Sequence, residues 1–200
     1  MIFTLFGLVL AGSVWQGVLY LTSAPERAEA LVQAGIKNLS PGKYEQAVLR
    51  FNEALAIEPN SWNAHYQRGI AEQNLNKPDD ALADYQAALQ IKADLLEARI
   101  ARAGIYDEKG DHRHAAEELT KIIAQRPTVD AHYRRGDAYA QLGQHAEAIE
   151  DYTWIINEVR DAPLAYFSRA KSRRALGDLD GATADETAAT SFDRSADFKK

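Results

Sequence analysis

Five histidines, His65, His112, His114, His132 and His145, are the side chains of this sequence best suited to proton transfer or metal ligation. Only His112 and His114 lie close together, either side of Arg113 near a turn, and a zinc site needs further ligands converging from elsewhere. The chain has no cysteine, which removes disulfides, zinc–thiolate sites, iron–sulfur clusters and a cysteine nucleophile. It has no glycine-rich phosphate loop, no nucleophile elbow and no zinc-protease helix motif. Its 29 acidic residues are spread along the chain rather than paired at spacings that favour acid–base catalysis. No catalytic, cofactor-binding or metal-ligating residue is therefore expected, and no small-molecule substrate. The net charge of -6 argues against nucleic acid as a general partner.

The polar residues that recur do so with a long period. Ala47, Ala81, Ala115, Ala148 and Ala182 are separated by 34, 34, 33 and 34 residues. Twelve positions earlier stands a small residue each time: Gly35, Gly69, Ala103, Gly136 and Ala170. Five positions before each alanine come Gly42, Asn76, Gly110, Gly143 and Gly177, all turn formers. Four after it come Phe51, Tyr85, Leu119, Tyr152 and, breaking the pattern, Glu186. Each unit reads as two helices joined at the turn column, with the small residues where the helices cross. One such unit cannot cover its own apolar faces, so stacked units must supply the core.

Two charged columns ride on this register. Arg68, Arg102, Arg135 and Arg169 directly precede the small residue in the last four units, and Asp84, Glu118, Asp151 and Asp185 follow the alanine by three. In the first unit both change together, to Ala34 and Arg50. The joint switch predicts structural pairs within units two to five: Arg68 with Asp84, Arg102 with Glu118, Arg135 with Asp151, and Arg169 with Asp185. His65 and His132 also occupy equivalent positions, which fits packing better than ligation.

The mean hydropathy of -0.39 conceals an unlike segment at the start. Residues 1–22 carry no charged side chain, and residues 2–21 match the roughly 20 helical residues that cross a bilayer. Trp15 and Tyr20 suit an interface, and Gly7 with Ala11 gives small-xxx-small spacing. The expectation is a single-pass anchor in contact with lipid. A cleaved signal peptide is the competing reading, but no Lys or Arg precedes the apolar run and the candidate cleavage sites are poor. Arg27, Lys37 and Lys43 follow the segment and place the rest of the chain on the cytoplasmic or stromal side. Ser23 and Glu26 form a capping-box pattern, with Pro25 in the first turn of a new helix.

The repeating units resemble tetratricopeptide repeats, most clearly in Tyr133-Arg134-Arg135-Gly136 through Leu142-Gly143-Gln144-His145-Ala146-Glu147-Ala148, and in Lys43-Tyr44-Glu45-Gln46-Ala47 through Ala54 and Pro59. Pro78, His112 and His145 depart from the aromatic usual after the turn, and Arg160 from a closing proline. The resemblance implies an all-α, right-handed superhelical solenoid of about five helix pairs. Its units are 28–61, 62–95, 96–128, 129–162 and 163–192, after the 1–22 anchor and before a 193–200 tail. It also implies a concave groove that binds a protein partner. Three positions before the small column stand Val32, Tyr66, Ile100, Tyr133 and Phe167, an apolar stripe suited to such a groove. Ile70, Asp137, Lys171 and Arg174 extend the same face, and the alternative is that these side chains fill a tight superhelix. The Lys and Asn with which chaperone-binding relatives clamp a terminal carboxylate are missing, so no heat-shock co-chaperone role is implied. The expected function is that of a membrane-tethered scaffold, an assembly factor or accessory subunit of a membrane complex. The alternative is the same array on the periplasmic side, serving envelope biogenesis or secretion. Thr183, Glu186, Thr187 and Thr190 give the last helix a polar outer face, as a terminal repeat needs.

Overall fold

A computed structural model describes residues 23–197, with side chains through residue 191. The expected anchor at residues 1–22 lies outside the described residues, as do residues 198–200. The described chain is all-α, with ten helices in five hairpins. These are α1 (Ala24–Lys37) with α2 (Tyr44–Ile57), α3 (Trp62–Asn74) with α4 (Pro78–Ile91), and α5 (Leu96–Glu108) with α6 (His112–Gln125). Then come α7 (Val129–Gln141) with α8 (His145–Glu158), and α9 (Pro163–Ala175) with α10 (Leu179–Asp197). The helices form two compact units, one ending at Leu95 and the other beginning at Leu96.

Helix ends follow local chemistry. Every turn-column residue has positive φ: Gly42 at 80°, Asn76 at 58°, Gly110 at 69°, Gly143 at 75° and Gly177 at 83°. Such a left-handed residue stops the helix and frees the next amide to return to a carbonyl one turn back. Gln144 N–H accordingly donates to Tyr139 O at 2.8 Å and Lys77 N–H to Glu72 O at 2.9 Å. Ser61 and Thr128 hydroxyls accept from Ala64 and Ala131 amides at the starts of α3 and α7. At α1, Ser23 N–H donates to Glu26 Oε2 at 2.7 Å. Pro78 opens α4 and Pro163 opens α9, where a missing amide costs nothing. So Pro78, which departs from the aromatic pattern, starts its helix rather than breaking it.

In the first unit α1 packs on α2, α2 on α3, and α3 on α4; its core joins Val32, Ala47, Phe51, Ala54, Ala64 and Ala71. In the second unit each helix from α5 to α10 packs on the next. One core there centres on Ala103, Leu119, Ile122 and Ala131, another on Ala148, Tyr152, Ile155 and Ala165. The five register alanines are all fully buried. The tightest feature is the crossing inside each hairpin. A Cβ added at Gly69 would meet the Tyr85 ring at 2.7 Å, one at Gly136 the Tyr152 ring at 2.8 Å, and one at Gly35 the Phe51 ring at 2.5 Å. Where the first helix carries Ala103 or Ala170, the facing residue is Leu119 or Glu186 instead of an aromatic.

The chain departs from the expected boundaries at its C-terminal end. Helix α10 runs to Asp197, so residues 193–197 are helical rather than part of a tail. No glycine or proline interrupts Ser191 to Asp197, and nothing there stops a helix.

Ring and small residue form one steric unit. Gly136→Ala should cost about 1–3 kcal/mol by overpacking, whereas adding Tyr152→Leu to it, which copies the Ala103–Leu119 crossing, should recover part of that loss. Urea denaturation of the two single variants and the double variant measures the coupling; strict additivity would contradict it.

Candidate partner-binding surface

The charged columns come together within hairpins. Asp84 accepts Arg68 Nε at Oδ2 and Arg68 Nη2 at Oδ1, both at 2.7 Å. Asp151 accepts Arg135 Nε at 2.9 Å and Nη2 at 2.7 Å, and Asp185 accepts Arg169 Nε at 2.9 Å and Nη2 at 2.7 Å. All three carboxylates are buried. Two parallel N–H···O⁻ bonds match the planar fork of guanidinium to a carboxylate and fix both helices of the hairpin. The third hairpin differs. Arg102 Nη1 stands 3.7 Å from Glu118 Oε1, while Arg99 Nη1 lies 3.3 Å from Oε2 and Lys121 Nζ 3.0 Å from Oε1. Glutamate is one methylene longer than aspartate, so its carboxylate passes the two-bond position and shares three cations. In the first hairpin Arg50 turns to Glu53 on its own helix at 2.8 Å.

Three connections were not anticipated from the sequence. The third guanidinium nitrogen of these arginines reaches the preceding hairpin: Arg68 Nη1 donates to Asn52 at 2.6 Å, Arg135 Nη1 to Thr120 at 3.2 Å, and Arg169 Nη1 to Thr153 at 3.0 Å. The signal was present as a neutral polar column five after the register alanine: Asn52, Gln86, Thr120, Thr153 and Thr187. The two equivalent histidines join the same carboxylates, His65 Nδ1 at 2.9 Å from Asp84 and His132 Nδ1 at 2.7 Å from Asp151. His132 is also stacked on Trp154, with ring centroids 3.8 Å apart. Arg173, finally, donates to Asp185 at 2.9 Å and to Gly181 O at 3.1 Å.

Of the stripe expected to line a groove, the first unit contributes Val32, Tyr66 and Ile70. Val32 is 1% exposed and belongs to the core, so its place in a binding surface is corrected. Its short β-branched side chain ends within the packed interior. Tyr66 and Ile70 are half-buried, Tyr66 with its ring 5.9 Å from that of Tyr85. In the second unit Tyr133 is partly core: its ring lies 5.9 Å from that of Tyr152 and its hydroxyl 3.2 Å from Ser168 Oγ on α9. Ile100 and Phe167 are exposed, at 38% and 40%. Asp137 and Lys171 also face solvent. Asp137 accepts the Tyr152 hydroxyl at 2.6 Å, and exposed Arg174 pairs with Glu186 at 2.7 Å. Burial pushes the pKa of the Tyr152 phenol up, and its hydrogen bond to the Asp137 carboxylate raises it further, so the hydroxyl stays protonated and remains a donor. Asp111 caps the start of α6 by accepting the His114 amide and lies 2.7 Å from His114 Nδ1, and no cluster of three or more metal-ligating side chains occurs among the described residues.

One partly buried acid is mismatched. Glu72 faces Asp84 across the α3–α4 crossing, and its Oε2 is buried without a hydrogen-bond partner. Burial first, and Asp84 second, push its carboxyl up to about 7, although Arg68 opposes this.

Fold and surface define an all-α repeat protein whose polar interior is structural and whose first helices present apolar side chains outward. Models of the tetratricopeptide repeat match residues 100–156 ("Tetratricopeptide repeat") and residues 39–76 ("TPR repeat"). The chain therefore contains tetratricopeptide repeats. It is 28% identical over 109 residues to the tetratricopeptide repeat and J domain-containing co-chaperone DNJ1 of Cryptococcus neoformans var. grubii, covering 54% of this chain and 21% of that protein. It is 27% identical over 105 residues to the mitochondrial import receptor subunit TOM70 of Rattus norvegicus, covering 50% and 17%. The chain thus spans about a fifth of the length of these curated relatives. Among solved structures it shares its fold with MamA: one superimposes with a TM-score of 0.72 at 21% identity over 88% of this chain and 97% of the other. MamA 41-end from Desulfovibrio magneticus RS-1 gives 0.67 at 20% identity, covering 86% and 98%.

Two changes test the interior. Asp151→Ala strands Arg135 and His132 and should cost about 3 kcal/mol in urea denaturation. Glu72 binds its proton more tightly folded than unfolded, so its contribution falls as pH rises from about 4.5 towards 7 and stays low above. Glu72→Gln should therefore raise the thermal midpoint at pH 8 more than at pH 5; an equal shift at both would contradict the burial argument.

Proposed function

We propose that this protein is a non-catalytic scaffold, anchored in a membrane through residues 2–21, whose tetratricopeptide array holds a protein partner at the bilayer. The observation that carries this reading is the division of labour along the first helices. Their arginines and small residues are consumed by the interior, while Ile100, Phe167, Asp137 and Lys171 remain at the surface. Exposed aromatic and aliphatic side chains beside charges are the usual anchors of a protein interface. Relatives named as a co-chaperone and an import receptor are proteins that engage other proteins, and the same use of the repeats fits this chain. No helix among the described residues is long and apolar enough to cross a membrane, so the anchor rests on the uncharged 1–22 sequence. In this reading the array winds into a right-handed superhelix on the cytoplasmic or stromal side. There it acts as an assembly factor or accessory subunit of a membrane complex.

Affinity capture of the full chain from detergent-solubilised membranes, followed by mass spectrometry, should recover a reproducible membrane-complex protein. Tyr66→Ala with Phe167→Ala should reduce that recovery several-fold while leaving helicity largely intact. Recovery of nothing reproducible would sink the scaffold reading. Protease digestion of sealed vesicles should cut the array only from the cytoplasmic or stromal side. Cleavage from the opposite side would favour envelope biogenesis or secretion instead.

A further inference from the structure

An open cleft of about 430 Å³ lies in the second unit between the start of α7, the end of α8 and the start of α9. Its apolar lining includes Val129, Tyr133, Ile155, Val159 and Leu164. Ile155 is part of the buried core, whereas Val129 and Leu164 are 40% and 68% exposed, so the cleft grades from packed interior to solvent. Two aspartates, Asp130 and Asp161, complete the lining, which includes no cationic side chain. The nearest cation on α7, Arg134, is held mainly by Asp107, to which its Nε and Nη2 donate at 2.9 and 2.6 Å, and its Nη1 also pairs with Asp130 at 3.8 Å. The Asp130 side chain remains 80% exposed. Asp137, about two turns further along α7 than Asp130, adds a third solvent-facing carboxylate to the side of that helix that carries Tyr133.

We propose that this cleft is a docking site for a partner segment that presents one bulky apolar side chain flanked by Lys or Arg. It rests on the scaffold reading above and names the chemistry of what is held. The apolar lining offers room for one large aliphatic or aromatic side chain. The two rim carboxylates select basic neighbours and disfavour acidic ones, because a like charge placed there loses solvation without gaining a partner. Aspartates at the edge and apolar side chains at the centre divide the work as in other interfaces, the rim giving specificity and the floor affinity.

The test uses the full chain in detergent and three fluorescein-labelled twelve-residue peptides, otherwise Gly and Ser, read by fluorescence anisotropy. One carries Lys-Leu-Lys at its centre, one Glu-Leu-Glu and one Lys-Ser-Lys. Lys-Leu-Lys should bind at least tenfold more tightly than either other peptide. Leu164→Ser should remove that preference, and Asp130→Asn with Asp161→Asn should narrow the gap between Lys-Leu-Lys and Glu-Leu-Glu. Leu164 is exposed, so an unchanged circular dichroism melt would show that the variant is folded. Equal binding of all three peptides, or a preference that survives Leu164→Ser, would overturn the proposal. Concentration-dependent self-association that Leu164→Ser abolishes would also overturn it, by showing a second copy of the chain in the cleft. The scaffold reading fails separately, when affinity capture recovers no partner whatever the peptides do.

Discussion

The close approach of the two helices in each hairpin is the constraint from which the other features follow. At Gly69 and Tyr85, or Gly136 and Tyr152, a ring lies where a Cβ would otherwise sit. Glycine inside a helix costs roughly 1 kcal/mol against alanine in propensity. Here that cost is offset by burying an aromatic ring close against the glycine backbone, which removes more apolar surface from water than a methyl group could. The compensation is reciprocal. Where the first helix keeps a methyl, as at Ala103, the second offers Leu119 rather than a ring, and the approach is preserved by another division of the same volume.

That approach also determines what the arginines can do. With the helices this near, a guanidinium beside the small residue spans to a carboxylate sixteen positions on and still has one nitrogen to spare. The spare nitrogen crosses to a neutral acceptor on the preceding hairpin, so one side chain ties a hairpin internally and ties it to its neighbour. Such a pair is half-buried rather than superficial, and its worth lies in removing alternatives: a register slip would leave Asp151 buried without its partners. The same logic explains why the third hairpin is looser. Glu118 serves Arg99, Arg102 and Lys121 at once, and Arg102 stands 3.7 Å away instead of forming the fork seen at Arg68, Arg135 and Arg169.

Much of the helical framework was legible because it is enforced locally and repeated. Positive φ at Gly110 or Gly177 favours a glycine at the same place each time, with asparagine at Asn76 as the tolerated substitute, and a period of 33 or 34 residues exposes it. The arginine–acid columns were legible for a related reason: both switch in the first unit, and a joint switch in two columns is a signature of contact. What escaped is what a column cannot encode by residue type alone. Asn52, Thr120 and Thr153 differ in identity and share only a hydrogen-bond acceptor. Val32 sits in an apolar column with Tyr66 and Phe167, and its burial depends on side-chain length and on what packs over it. The coupling of glycine to aromatic was on view in two adjacent columns, but only the steric conflict at Gly35 and Phe51 gives it a cause.

The surface inherits its character from this interior. Because the crossings consume the small residue and, where they are present, the arginine and the facing ring, few positions of a first helix are left to vary without loss of stability. One such column holds Ile36, Ile70, Gly104, Asp137 and Lys171, four chemistries over five units. A position that the fold constrains little is free to be set by a ligand. The interior thus explains the constancy of the repeat, and the positions it leaves free are where a common framework acquires a particular specificity.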